Sequence, residues 1–176
     1  MVQIHDKIFE PYLEQEDIQN IIHRLAKEMN ILKNENPLFI IVLKGAFLFA
    51  SDLLKALSFD TEITFMQIKS YEGTHSSGEI KDIMGVPMNL IDRTIVIVED
   101  IVDTGNTLEY LYNRLSKENP KKIHIASLLL KPDVYSKDIP IDFVGKEIPN
   151  NFVVGYGLDY EELGRTLPKI YKLKNS

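Results

Sequence analysis

Hydrophobic residues along the chain occur in two arrangements, short continuous runs and helical spacings. The continuous runs cover residues 38–43 (LFIIVL), 94–99 (TIVIVE) and 122–131 (KIHIASLLLK), and residues 62–69 (EITFMQIK) form a further strand-like segment. Helical spacing or helix-favouring composition marks residues 18–29, 46–57 and 108–118. Apolar strands that alternate with helices predict an α/β fold, with a parallel sheet covered by helices on both faces.

The remaining segments are predicted to complete a single domain of residues 1–176. Residues 70–81 (SYEGTHSSGEIK) are polar and rich in glycine and serine, which predicts a long mobile loop. The C-terminal third has strand-like segments at 141–148, 151–160 and 168–174 but few helical signals. We expect these segments to form sheet edges or a small lobe beside the main sheet. The length of 176 residues is that of one ordinary domain.

Composition and charge exclude several classes of protein. The chain has no cysteine, which excludes disulfides, thiolate metal sites and a cysteine nucleophile and fits a reducing cytoplasm. The formal net charge of −6 argues against binding nucleic acid through bulk electrostatics. No N-terminal signal segment is expected, and the longest apolar stretch is shorter than the roughly 20 residues that span a bilayer. The sequence therefore predicts a cytoplasmic protein with neither a membrane nor a nucleic-acid partner.

The stretch IVIVEDIVDTGNTL, residues 95–108, places Glu99, Asp100 and Asp103 at the end of an apolar strand and continues into a small polar loop. In open parallel sheets, ligands bind beyond the carboxyl ends of the strands. The N–H groups of a loop that enters a helix form a cradle for one phosphate, to which the hydroxyls of Thr104 and Thr107 add donors. Acids beside a phosphate need other ligands, such as a sugar diol or hydrated Mg²⁺. The combined order predicts a pocket for a ribose 5′-phosphate, whereas each feature alone fits a capped helix with solvated acids equally well.

Two other phosphate-handling motifs do not fit this sequence. A P-loop requires GxxxxGK[ST], which is absent, and GYGLDY at residues 155–160 is not GxGxxG followed by a helix. Phosphatases of the haloacid dehalogenase type use two acids in a D-x-D pattern, whereas Asp103 follows Asp100 with two residues between them.

The segment VIVEDIVDTGNTL resembles the phosphoribosyl-pyrophosphate motif of the type I phosphoribosyltransferases, and more closely that of their hypoxanthine-guanine branch. Four further segments share the resemblance: LKGA at 43–46, SYEG at 70–73, LLLKP at 128–132 and the long run at 142–168. The resemblance covers most of the chain from about residue 38 onward. It implies a central parallel sheet flanked by helices, a small hood lobe from the C-terminal and N-terminal segments, and a flexible loop.

Enzymes of this branch transfer 5-phosphoribosyl from phosphoribosyl pyrophosphate to N9 of a 6-oxopurine and release pyrophosphate. The resemblance implies a purine-salvage glycosyltransferase that converts hypoxanthine, and also guanine, to IMP or GMP. It further implies Mg²⁺ as cofactor, phosphoribosyl pyrophosphate and 6-oxopurine bases as substrates, and a homodimer or homotetramer. A relative that prefers xanthine or guanine stays open as an alternative, as does a non-catalytic, RNA-binding regulator with the same fold.

The same resemblance assigns roles within the motif. Glu99 and Asp100 hold the ribose hydroxyls, directly or around Mg²⁺, and Asp103 accepts the purine proton as general base. The residues that surround the 5′-phosphate are Asp103, Thr104, Gly105, Asn106 and Thr107. Asn106 stands where relatives commonly have lysine, and its implied contribution is mainly through the backbone.

The resemblance also assigns residues outside the motif, which bind pyrophosphate, bind the base or cover the site. The pyrophosphate-binding residues are Lys44, Gly45 and Arg165, and the Leu43–Lys44 peptide can be cis in the family. The purine-binding residues are Lys131 at O6, Phe152 by stacking, Val153 through its backbone, and Asp159, which also joins Glu99 and Asp100 in the metal site. Ser70 and Tyr71 begin the flexible loop, which is expected to close as a lid and exclude water.

Overall fold

The secondary structure of the chain alternates strands and helices, as the hydrophobic pattern predicts. A computed structural model describes residues 1–70, 80–84 and 89–174. In chain order the elements are β1 (Val2–Ile4), β2 (Lys7–Leu13), α1 (Gln15–Glu28), a 3₁₀ helix (Met29–Glu35), β3 (Leu38–Leu43), α2 (Phe47–Ala56), β4 (Glu62–Ser70), β5 (Ile80–Met84), β6 (Thr94–Val102), α3 (Asn106–Ser116), β7 (Lys122–Leu130), β8 (Phe143–Glu147), β9 (Val153–Val154) and β10 (Ile170–Leu173).

The main sheet has six strands in the order β5-β4-β3-β6-β7-β8. Its pairings are parallel from β4 to β8, and β5 alone is antiparallel to its neighbour. The central strands β3, β6 and β7 are the continuous apolar runs, and their residues are almost entirely buried. The prediction of an α/β fold with a central parallel sheet is therefore confirmed.

Helices cover both faces of this sheet because successive residues of a strand point to opposite sides. Phe39 and Ile41 of β3 belong to the core cluster that α1 and α2 complete. Ile40, between them, belongs to a second cluster that α3 completes through Leu111 and Leu115. The two clusters fix the sheet between layers, so the carboxyl ends of β3, β6 and β7 meet at one edge.

A second, antiparallel sheet forms the small lobe, with strand order β1-β2-β10-β9. Its core contains Ile4, Phe9, Val154 and Tyr171. The C-terminal strands β9 and β10 were expected in such a lobe. The resemblance also implied that the N-terminal segment joins this lobe, as it does. The hydrophobic pattern did not predict its strands β1 and β2, because charged residues and Pro11 interrupt their apolar positions.

The loop predicted at residues 70–81 is shorter than expected, because strands include its first residue and its last two. Ser70 is the last residue of β4, and β5 begins at Ile80, so the ends of the segment pair as antiparallel strands. Tyr71 lies outside the described residues, so the predicted lid stays a prediction. Within the described ranges, no helix is long and apolar enough to cross a membrane.

Candidate active site

The acid pair of the predicted motif lies inside β6 rather than beyond it, because the strand continues to Val102. Glu99 is buried and Asp100 is half-buried, and the two acids are adjacent residues of the strand. Burial raises the pKa of Asp100 to about 6. Burial and the neighbouring Asp100 charge raise the pKa of Glu99 well above its ordinary value. Such a pair favours holding a proton, a cation or hydroxyl donors.

The predicted phosphate loop forms the turn between β6 and α3. Gly105 has a φ of 83° and is the residue that precedes the first turn of α3. Two features favour glycine at this position: a Cβ would strain the left-handed backbone, and it would overlap the ring of Tyr135. A cavity of about 100 Å³ is lined by Glu99 and by residues 101–108. The predicted cradle of loop, threonines and helix N-terminus is thus assembled at the carboxyl end of β6.

A larger cavity of about 390 Å³ lies beside this cradle. The predicted site residues that line it are Lys44, Gly45, Glu99, Asp100, Thr107, Asp159 and Arg165. The Leu43–Lys44 peptide is cis, and the loop that follows brings Gly45 against Asp100, where a Cβ would overlap the carboxylate. The pyrophosphate-binding and metal-binding residues of the prediction therefore surround one space.

Arg165 is held on the cavity wall by three acceptors. Its Nη1 donates to the carbonyl of Gly157 at 2.9 Å, and its Nη2 lies 2.7 Å from Asp159 Oδ1. The same Nη2 lies 3.5 Å from Glu162 Oε2. Among the described residues, the buried Arg165 Nε has no hydrogen-bond partner. Because Arg165 also lines the larger cavity, its positive charge suits an anion bound there.

The predicted metal residues lie around one cavity but do not form a closed cage. Asp159 pairs with Arg165 and also accepts a hydrogen bond from the backbone N–H of Glu162 at 2.8 Å. No group of three or more His, Cys, Asp or Glu side chains in residues 1–70, 80–84 and 89–174 is arranged to hold a metal ion. Glu99, Asp100 and Asp159 line the same cavity, so the predicted metal site of these three acids stays a prediction.

The predicted base-binding lysine lies directly beside the predicted general base. The parallel register pairs Val102 with Leu130, and the N–H of Lys131 donates to Val102 at 2.9 Å, so Asp103 and Lys131 emerge side by side. Lys131 Nζ donates to Asp103 Oδ2 at 2.6 Å and to Asn150 Oδ1 at 3.3 Å. The lysine is buried, whereas Asp103 is half exposed. Lys131 is therefore not a solvated lysine at the end of its strand.

Phe152 has the exposure of a surface for stacking rather than that of a core residue. It is 42% exposed, although its ring is held 5.7 Å from Tyr160 and 6.1 Å from Phe9. Val153 follows in β9 and is buried. A supported but exposed ring is the feature that stacking on a planar base requires.

Sequence reasoning missed three residues that the fold adds to these sites. Asn150 shares Lys131 with Asp103, Glu162 joins Lys44 and Arg165, and Ile101 lines both cavities. Hydrogen bonding to Lys44 lowers the pKa of Glu162. Ile101 lies within the motif, and an apolar residue between the acids Asp100 and Asp103 was the sequence feature that could have identified it as part of the site. The partners of Asn150 and Glu162 are distant in sequence, so no local pattern identifies them.

Comparison with known proteins places this site in a class. The profile described as the phosphoribosyl transferase domain matches residues 10–161. The chain therefore belongs to the phosphoribosyltransferase family. It is 40% identical, over 97% of both chains, to a hypoxanthine-guanine phosphoribosyltransferase of Staphylococcus aureus strain Mu50.

Solved structures agree with this assignment. A crystal structure of a hypoxanthine phosphoribosyltransferase from Staphylococcus aureus is similar, with a TM-score of 0.89 and 39% identity over 97% of this chain and 94% of that one. A hypoxanthine-guanine phosphoribosyltransferase from Bacillus anthracis gives a TM-score of 0.86 and 32% identity over 96% and 99% of the two chains. The predicted family and fold are thereby confirmed.

Proposed function

We propose that the protein transfers 5-phosphoribosyl from phosphoribosyl pyrophosphate to N9 of hypoxanthine, and also of guanine, to form IMP or GMP and pyrophosphate. The observation that carries this proposal is the 2.6 Å contact between Lys131 and Asp103. It joins a donor suited to a purine oxygen to an acid suited to a purine proton, next to the phosphate cradle. The names of the relatives support the same substrates.

The two ends of phosphoribosyl pyrophosphate fit the two cavities. The smaller one, which includes Gly105 and Thr107, has the N–H groups and hydroxyls that bind a 5′-phosphate. The larger one has Lys44 and Arg165, whose charges suit the pyrophosphate. Glu99 lines both cavities, which supports a role for its carboxylate as acceptor of hydrogen bonds from the ribose hydroxyls.

Mg²⁺ fits the donor set of Glu99 and Asp100. Mg²⁺ in phosphate-transfer sites commonly uses one or two carboxylates and completes its shell with water and substrate oxygens, so a cage of three acids is not needed. Both carboxyls are desolvated and close to each other, and a cation would relieve their repulsion. When bound, Mg²⁺ would neutralise charge on the departing pyrophosphate.

The protein residues at the base have separable tasks. Phe152 supports the purine by stacking, and Lys131 donates to O6. An ammonium has three donors, and Asp103 and Asn150 accept two of them, which leaves a third for the purine. Asp103 accepts the proton that the purine loses as N9 bonds to the ribose. While Asp103 takes up the proton, the Lys131 ammonium continues to donate a hydrogen bond to purine O6 and stabilises the negative charge that develops on that oxygen.

The test is to mix the purified protein with phosphoribosyl pyrophosphate and Mg²⁺ and to follow the ultraviolet change with one base at a time. Hypoxanthine and guanine should be consumed, whereas adenine, uracil and orotate should not. Turnover confined to xanthine would replace the proposed specificity. Absence of turnover with every 6-oxopurine, together with RNA binding, would support the regulator instead.

The proposed assembly is a homodimer or homotetramer, and the proposed location is the cytoplasm. Light scattering after gel filtration tests the assembly, because a monomeric mass at assay concentrations would overturn it. Fractionation of cells tests the location.

A further inference from the structure

Glu162 contacts Lys44 and Arg165, the two cations that line the larger cavity at the proposed pyrophosphate position. Its Oε2 lies 2.9 Å from Lys44 Nζ. The same oxygen lies 3.5 Å from Arg165 Nη2. One carboxylate oxygen thus bridges two side chains that are 118 and three residues away in sequence. A phosphate oxygen bound by the two cations would take the same place.

The backbone of Glu161 and Glu162 is strained. Tyr160 and Leu163 form an antiparallel bridge, and Glu161 and Glu162 between them have φ values of 49° and 68°. Two-residue turns of this kind favour asparagine and glycine, because other side chains are strained at positive φ. Two glutamates at these positions are therefore unexpected from local propensity, and strain of this kind is often found at functional sites.

The turn directs the two glutamates to different neighbours. The N–H of Glu162 donates to Asp159, which itself pairs with Arg165, so the turn is fixed to the cavity wall. The carboxylate of Glu161 lies 3.9 Å from His5 in the small lobe instead. Both side chains are about equally exposed, at 68% and 66%. Position in the turn, rather than exposure or charge, distinguishes Glu162.

We propose that Glu162 is an internal competitor of pyrophosphate: its carboxylate pairs with Lys44 and Arg165 in the ligand-free enzyme and is displaced when phosphoribosyl pyrophosphate binds. This inference rests on the proposed function, because it identifies the anion that replaces the carboxylate. Because each ligand must displace the Glu162 carboxylate, both pyrophosphate and phosphoribosyl pyrophosphate bind more weakly than they would without it. After the transfer step, the carboxylate pairs again with the two cations and accelerates the release of pyrophosphate.

The experiment compares Glu162→Gln with the matched variant Glu161→Gln, which removes the same charge from the adjacent turn position. Binding of inorganic pyrophosphate and of phosphoribosyl pyrophosphate is measured by calorimetry in the presence of Mg²⁺. Exposed ion pairs are individually weak, so Glu162→Gln should tighten both ligands by roughly two- to tenfold. Glu161→Gln should leave both affinities near those of the unchanged protein.

A third variant separates the bridge from general charge. Glu162→Asp keeps the negative charge, but its shorter side chain falls short of the two cations, so it should tighten both ligands as Glu162→Gln does. The KM for hypoxanthine should not change in any of these variants, because the Glu162 side chain pairs with Lys44 and Arg165. The backbone N–H of Glu162 donates to Asp159, which is assigned to the base, and every variant keeps that bond. Unfolding temperatures verify that each variant is folded.

The possible outcomes distinguish the inference from the function on which it rests. Equal or weaker pyrophosphate binding by Glu162→Gln, with normal binding by the unchanged protein, would overturn the competitor role and leave the proposed function intact. Equal tightening by Glu161→Gln would also overturn it, because the effect would then come from net charge. If the unchanged protein binds neither pyrophosphate nor phosphoribosyl pyrophosphate, the proposed function itself fails.

Discussion

Replacement of Asp103 by asparagine tests the proposed general base, and the structure predicts two separate effects. Asparagine keeps the shape of the side chain but does not accept the purine proton. General acid–base catalysis typically contributes about 10²–10⁴-fold, so kcat should fall by that factor while the binding of phosphoribosyl pyrophosphate persists. The second effect is on stability, because the buried Lys131 loses its 2.6 Å ionic partner.

The stability effect can be estimated from the exposure of the two partners. Lys131 is 8% exposed, but Asp103 is 46% exposed, so solvent screens the pair. The loss should be about 1–2 kcal/mol, between the ranges for surface and buried pairs. For a chain of this length, this loss lowers the unfolding temperature by roughly 2–8 °C.

The chain offers a matched control for this stability effect. Lys137 and Glu109 form an ion pair of 2.8 Å whose partners are 17% and 45% exposed. Glu109→Gln should lower the unfolding temperature similarly but leave kcat unchanged. Initial rates of IMP formation at saturating substrates and thermal unfolding followed by circular dichroism measure the two effects. Normal kcat in Asp103→Asn would refute the general-base role, and a low kcat in both variants would attribute the loss to stability.

Three further predictions concern binding of the base by Lys131, the loop at Gly45, and the loss of stability at low pH. Lys131→Ala should raise the KM for hypoxanthine by about tenfold or more and change that for phosphoribosyl pyrophosphate little; unchanged hypoxanthine kinetics would remove the lysine from the base site. Gly45→Ala should weaken calorimetric binding of phosphoribosyl pyrophosphate, because its Cβ would overlap the Asp100 carboxylate and force that side chain to move; normal binding would contradict this packing. Burial by itself would raise the pKa of Asp52. Hydrogen bonds, including one that Tyr156 donates, outweigh burial and hold the pKa of Asp52 below its ordinary value. Asp52 therefore stabilises the fold above its unfolded pKa of about 4, and this contribution is lost as pH falls through the lower folded value. Asp52→Asn should lower the unfolding temperature at pH 7, with a difference from the unchanged protein that shrinks below about pH 4; a difference independent of pH would contradict the linkage.

The parts of the fold that sequence predicted are those with a strong local signal. Strands β3, β6 and β7 are apolar on both faces, and this pattern requires helices on both sides of a sheet. The phosphate loop was equally local, because its acids, threonines and glycine lie in one segment. Once β6 was identified, its carboxyl end followed from the topology of parallel sheets.

The parts that sequence did not predict depend on contacts between distant segments. Strand β2 was not predicted, and it pairs with β10 at the other end of the chain, so its place in the sheet depends on a distant partner. The partnership of Lys131 with Asn150 and that of Lys44 with Glu162 likewise require the folded chain. The positive φ of Glu162 contradicts its local propensity, so only the structure identifies that turn.

The most direct test of the central claim is to quantify the products formed from hypoxanthine, phosphoribosyl pyrophosphate and Mg²⁺. Chromatography measures IMP, and a coupled phosphate assay measures pyrophosphate in the same sample. The proposed reaction predicts equal amounts of the two products, and their formation should require both substrates. Pyrophosphate released without IMP, or no product in the presence of both substrates, would contradict it.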